Sequence, residues 1–124
     1  MFNILLVDYS ASFRQALADV LLSYFPLIGV DEAGDGEEAL GKIEYLRPDL
    51  VFMDIQLPGE NGLDVTKEIK RVYDDIVIVI LASNGLPEYR QQAFRNGADY
   101  FLSKEDNFCM ENILAQVVDV APVV

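Results

Sequence analysis

The chain has 124 residues, 52% of them hydrophobic, with 21 Asp and Glu against 9 Lys and Arg and a formal net charge of −12. That composition suits one globular domain with a real core and excludes a disordered chain. It also argues against direct nucleic-acid binding, because phosphates repel such a surface, although action on DNA through a partner or a second domain stays open. There is no histidine, which removes a His-ligated zinc site, a Ser-His triad and a histidine phosphodonor, and the one cysteine, Cys109, forms no internal disulfide.

Apolar and amphipathic runs alternate along the chain. Asn3 to Val7 reads as a strand buried on both faces. It leaves no room for a charged signal region, and the apolar runs, such as Ile76 to Ala82, are too short to span a bilayer, so the expected location is cytoplasmic. Ser10 or Ser12 caps a helix whose apolar positions are Phe13, Leu17, Val20, Leu21 and Tyr24, and Pro26 stops it. A strand near Ile28 to Ala33 follows. Asp35 and Glu38 then form a capping-box-like start for a helix to about Leu46, with Ala39, Leu40, Ile43 and Leu46 inward.

Leu50 to Met53 is a third strand ending at Asp54, and Ile55 to Gly62 is a loop with two turn dipeptides, Pro58-Gly59 and Asn61-Gly62. Val65, Ile69 and Val72 stripe the next helix. Ile76 to Leu81 is a β-branched fourth strand. Pro87 opens a helix that Gly97 closes, and Tyr100 to Leu102 is a short fifth strand. Met110, Ile113, Leu114 and Val117 mark a last helix that Pro122 ends, and Cys109 reads as a half-buried helix residue without chemistry. Five strand–helix repeats with short connections predict an α/β domain over residues 1–124, a five-stranded parallel sheet in the flavodoxin-like order 2-1-3-4-5 with helices on both faces.

In such sheets the ligand site lies beyond the C-terminal strand ends. Asp8 ends the first strand, Asp54 the third, Ser83 follows the fourth and Lys104 the fifth. One such Asp is commonly a turn or cap residue; four complementary groups at strand ends suggest a pocket. A carboxylate attacks phosphorus to form an acyl phosphate, neighbouring carboxylates call for a hard cation such as Mg²⁺, and a lysine and a hydroxyl neutralise and hydrogen-bond phosphoryl oxygens.

Leu5-Leu6-Val7-Asp8, the segment Asp54-Ile55-Gln56-Leu57-Pro58-Gly59-Glu60-Asn61-Gly62, Leu81-Ala82-Ser83 and Phe101-Leu102-Ser103-Lys104 resemble the motifs of response-regulator receiver domains, in order and spacing, over nearly the whole chain. The resemblance implies a non-enzymatic signalling domain of a two-component phosphorelay. Asp54 would accept phosphate from a histidine kinase or a phosphotransfer protein, with Asp8, Asp54 and the Gln56 backbone carbonyl holding Mg²⁺. Ser83 and Lys104 would bind the phosphoryl group, and Phe101 would be the switch aromatic, a role compatible with simple core packing. The partner on the output side would be an attached domain or an effector protein.

Two positions depart from the family pattern. Tyr9 stands where a second acidic residue usually ligates Mg²⁺, and a neutral phenol is a poor ligand for a hard cation. It would weaken Mg²⁺ binding, cover the pocket, donate a hydrogen bond, or simply be tolerated. Glu105 stands where a proline often follows the lysine, so the loop there is expected to differ. Gln56 and Gly85 occupy positions where the family tunes autodephosphorylation.

Tyr9 keeps alive an alternative, a degenerate receiver that binds partners without phosphorylation through its last helix–strand–helix face, where Tyr89, Phe94 and Met110 are either contacts or, by preference, core packing. A phosphohydrolase with an aspartate nucleophile is remote, since Ser10 replaces an acid that would be expected two residues past its nucleophile at Asp8. A flavin domain is remoter, since Asp8 repels a phosphate and Gly34-Asp35-Gly36 is only a turn. Kinase, output and dimerisation stay open, as does whether the Val-rich end at Ala121-Pro122-Val123-Val124 begins a linker.

Overall fold

Alternating side chains on the parallel strands feed two separate apolar layers, which is why those strands read as continuous hydrophobic runs. The computed structural model describes residues 1–83, 85–104, 115 and 117. In chain order its elements are β1 (Asn3–Val7), α1 (Ala11–Tyr24), β2 (Gly29–Ala33), α2 (Gly36–Leu46), β3 (Leu50–Asp54), β4 (Gln56–Leu57), β5 (Glu60–Asn61), α3 (Gly62–Val72), β6 (Val77–Ala82), α4 (Pro87–Arg95) and β7 (Tyr100–Ser103). The main sheet is parallel in the order β2-β1-β3-β6-β7, the expected flavodoxin-like arrangement. Ile4, Leu6, Leu50, Phe52, Val79 and Leu81 face α1 through Leu17, Ala18 and Leu21, joined by buried Val117. Leu5, Val7, Val51, Met53, Ile78 and Ile80 face the other way, onto Ala39 and Ile43 of α2, Leu63, Val65 and Ile69 of α3, and Ala93 of α4. Each fully buried Leu or Ile contributes about 1.5–3 kcal/mol of transfer free energy.

The caps follow the sequence closely. Ser10 is the N-cap of α1, accepting from the Phe13 N–H at 3.1 Å, while Ser12 only shares a hydroxyl contact with it. Asp35 caps α2 by accepting from the Glu38 N–H at 2.8 Å, but the Glu38 carboxylate takes the Gly34 N–H at 2.7 Å, one residue before the reciprocal bond of a true capping box. Pro87 is at the first turn of α4, and Gly97, at φ +103°, follows its C-cap residue Asn96.

Three expectations change. The 55–62 segment is not a plain loop: β4 and β5 form a small antiparallel hairpin, turned at Gly59 with φ +74°. Several residues on the helical stripes lie outside the core, with Tyr24 65% and Val72 53% exposed, because each falls at the last position of its helix. Tyr89 and Phe94, expected as core packing, are 39% and 42% exposed, since α4 contributes only Ala93 to the buried layer. Cys109, Met110, Ile113, Leu114 and the tail from Ala121 lie outside the described residues.

Candidate functional site at the C-terminal strand ends

Register carries the polar residues to one edge. Val7 pairs with Met53, Asp54 with Leu81, and Ala82 with Ser103, so the residues that follow β1, β6 and β7 emerge beside the end of β3. The Asp8 N–H continues the ladder to Ala33 O at 3.1 Å, and the Lys104 N–H reaches Ala82 O at 2.6 Å. Backbone pairing, not side-chain chemistry, therefore sets where both charges begin.

Asp8 and Asp54 are 4% and 6% exposed. Lys104 joins them: its Nζ donates to Asp8 Oδ2 and lies 3.6 Å from Asp54 Oδ2. The remaining carboxylate oxygens meet backbone donors. Asp8 Oδ1 accepts from Ser10 N at 2.9 Å, and Asp54 Oδ1 from Gln56 N at 3.3 Å. Burial pushes the Asp54 carboxyl above the ordinary carboxylate range, and the Asp8 charge adds to the rise. The Lys104 charge and the Gln56 N–H oppose it.

The structure brings Asp8, Asp54 and Lys104 together and leaves the other expected site residues around them. Ser83 is exposed and lines a cleft of about 320 Å³ with Ile55, Gln56, Leu57, Asn61 and Tyr89; no described hydrogen bond ties it to the charged cluster. Phe101 is buried in the layer under α4, with the Arg90 guanidinium 5.8 Å from its ring centroid. Tyr9 is 70% exposed and borders a separate open cleft with Gln56, Leu57 and Pro58. Gly85 is exposed beside Ser103, and Glu105 lies outside the described residues.

Two residues that support the cluster did not stand out in the sequence. Arg14 donates to the Asp8 carbonyl and pairs with Glu32 at 3.0 Å, and Phe13 places its ring centroid 4.2 Å from Lys104 Nζ. Helical spacing marked Phe13 only as apolar; nothing in the linear pattern pairs it with a residue 91 positions later.

The oxygen donors suit a hard cation, as two buried carboxylates share one lysine and repel each other. The donor set is nevertheless short, for no group of three His, Cys, Asp or Glu residues able to hold a metal ion exists among the described residues.

The response regulator receiver domain family matches residues 4–117. The chain belongs to that family. A chemotaxis protein CheY of Halobacterium salinarum is 36% identical over 102 residues, covering 82% of this chain and 83% of the relative. Among solved receiver structures, Vibrio cholerae CheY4 superposes with a TM-score of 0.86 at 29% identity, covering 98% of this chain and 99% of that one. The CheX–CheY–BeF₃–Mg²⁺ complex of Borrelia burgdorferi contains a chain that superposes at 0.84 with 25% identity, covering 96% and 88%. This receiver domain is thus of the two-component response-regulator kind, and no helix among its described residues is long and apolar enough to cross a membrane.

Proposed function

We propose that the chain works as a single receiver domain in which Asp54 accepts a phosphoryl group from a histidine kinase or a phosphotransfer protein and thereby changes a surface read by an output domain or effector. The observation that carries this reading is the Lys104 ammonium lodged between the buried carboxylates of Asp8 and Asp54. An Asp54 oxygen attacks phosphorus, a new O–P bond forms, and the bond from phosphorus to the donor nitrogen breaks. Asp8, Asp54 and the Gln56 carbonyl would hold Mg²⁺, which when bound would neutralise the paired carboxylates and supply Lewis-acid polarisation of a phosphoryl oxygen. Lys104 exchanges its partner at Asp54 for a phosphoryl oxygen, Ser83 supplies a hydroxyl donor from the adjoining cleft, and Phe101 packs in response. The stabilised population shifts only as far as the phosphoryl group prefers one arrangement.

The BeF₃ and Mg²⁺ named for the Borrelia burgdorferi complex support extending this chemistry to the present chain. Intact-mass spectrometry after incubation with acetyl phosphate across a Mg²⁺ titration tests it, with Asp54→Asn and Tyr9→Asp run alongside. An adduct on wild type that is lost in Asp54→Asn is the expected result. An adduct that appears only in Tyr9→Asp points to the second reading, a partner-binding receiver with disabled chemistry, which the exposed Tyr9 and the short donor set favour.

A further inference from the structure

Four residues, Asp8, Ser10, Phe13 and Lys104, close a ring of contacts that includes the site lysine. Ser10 N–H donates to Asp8 Oδ1 at 2.9 Å, and Ser10 Oγ accepts from the N–H of Phe13 at 3.1 Å. The Phe13 ring centroid lies 4.2 Å from Lys104 Nζ, and Lys104 returns to Asp8 Oδ2. The first turn of α1 therefore holds both ends of one ion pair: a backbone donor on the carboxylate and an aromatic face on the ammonium.

We propose that Phe13 is a positioning residue for phosphotransfer, its ring face keeping the Lys104 ammonium at the Asp54 edge where phosphoryl oxygens arrive. The inference rests on the reading of Asp54 as phosphoacceptor. Lysine is a point charge on a flexible four-carbon stem, so its side chain does not fix its own geometry. Asp8 and Asp54 grip it from the carboxylate side. The ring supplies an attractive, water-excluding surface, and the quadrupole of a phenyl face draws a cation within about 6 Å of its centroid. The Lys104 side chain is only 21% exposed, so the attraction acts in partly desolvated surroundings.

Packing also explains a phenylalanine here, since Phe13 lies half-buried against the layer formed by Ile4, Leu6 and Leu17. The two roles make different demands. Packing depends on shape and volume. Positioning depends on the negative charge of the ring face, which fluorination removes at nearly constant shape.

The test uses the full chain with acetyl phosphate at saturating Mg²⁺, comparing wild type, Phe13→Tyr, Phe13→Leu and a variant carrying 3,4,5-trifluorophenylalanine at position 13. Two quantities are read: the rate of adduct formation on Asp54, and the NMR shifts of the Lys104 ε-methylene protons, assigned by their loss in Lys104→Arg. Wild type should show ring-current-shifted ε-protons, and Phe13→Tyr should keep both the shift and the rate to about twofold. The trifluoro variant should slow adduct formation by about three- to tenfold with an unchanged melting temperature, and Phe13→Leu should slow it and lose the shift. A trifluoro variant as fast as wild type overturns the proposal, as do unshifted ε-protons in wild type, a readout that needs no Phe13 variant to fold. Absence of any adduct on wild type overturns the phosphoacceptor reading and this inference with it, a pattern distinct from failure of the Phe13 role alone.

Discussion

A Cβ placed on Gly62 would lie 1.9 Å from the backbone carbonyl oxygen of Asp54. The Gly62 N–H also donates to Ile55 O at 2.7 Å, so the first residue of α3 is pressed against the chain that leaves the site aspartate. The obstacle is backbone, which no rotamer change relieves. Gly62→Ala should cost about 2–3 kcal/mol in denaturant unfolding, at the upper end of overpacking penalties, and should slow adduct formation on Asp54 in the surviving folded fraction. An alanine variant with the wild-type midpoint would mean the hairpin yields freely.

Asp54 makes the pH dependence of stability specific in sign. Its folded carboxyl titrates above the ordinary value of 3.8, chiefly from burial, so the native state holds its proton to higher pH than the unfolded chain does. Between the two values the native state binds more protons, and stability falls as pH rises through that window; above the folded value the cost is constant. Asp54→Asn removes it. In Mg²⁺-free buffer the variant should melt higher than wild type at pH 7, with the gap closing as pH falls below the unfolded value. A gap independent of pH would contradict this origin.

Removing Lys104 leaves two buried carboxylates facing each other without a cation. Because the lysine side chain keeps 21% exposure, Lys104→Met should cost about 2–3 kcal/mol, less than the 3–5 kcal/mol of a fully buried broken pair. Asp8→Asn in the same background should recover part of that loss. Urea unfolding of the four members of this double-mutant cycle measures the coupling, and strict additivity would argue against the contact.

Tyr9 is exposed enough to replace without a packing penalty. Tyr9→Asp adds a third carboxylate next to Asp8 in the chain. Mg²⁺ should then bind about tenfold more tightly or better, read as a larger Mg²⁺-dependent rise in melting temperature than in wild type. Without Mg²⁺ the same variant should be less stable than wild type, because the added charge has no counterion. Equal Mg²⁺ responses in the two proteins would show that position 9 does not reach the cation.

Periodicity made the sheet legible. Runs such as Leu5 to Val7 and Ile78 to Leu81 are apolar on both faces because α-helices cover both faces, and that pattern with short connections leaves few topologies. The β4–β5 hairpin escaped notice because two-residue strands carry too little pattern to separate from a turn at Gly59. Core packing is the preferred reading of Tyr89 and Phe94 over surface contact, and both are exposed because a short helix that buries little beyond one alanine has a stripe that does not report its seating.

The sequence by itself determined the parallel α/β order, the capping of α2 by Asp35, a cap for α1 at Ser10 or Ser12, the acidic balance, and the placement of Asp8, Asp54 and Lys104 at strand ends. Each follows from local propensity, from hydrophobic period or from strand-end position. Tertiary structure alone decided that Lys104 contacts Asp8 more closely than Asp54, that Ser83 lines a cleft with Gln56 and Tyr89, that Gly62 has no space for a side chain, and that Phe13 faces the lysine. Those outcomes depend on strand register and on how α1 and α3 seat against the sheet, distances of an ångström or two that join residues far apart in the chain and leave no trace in its spacing.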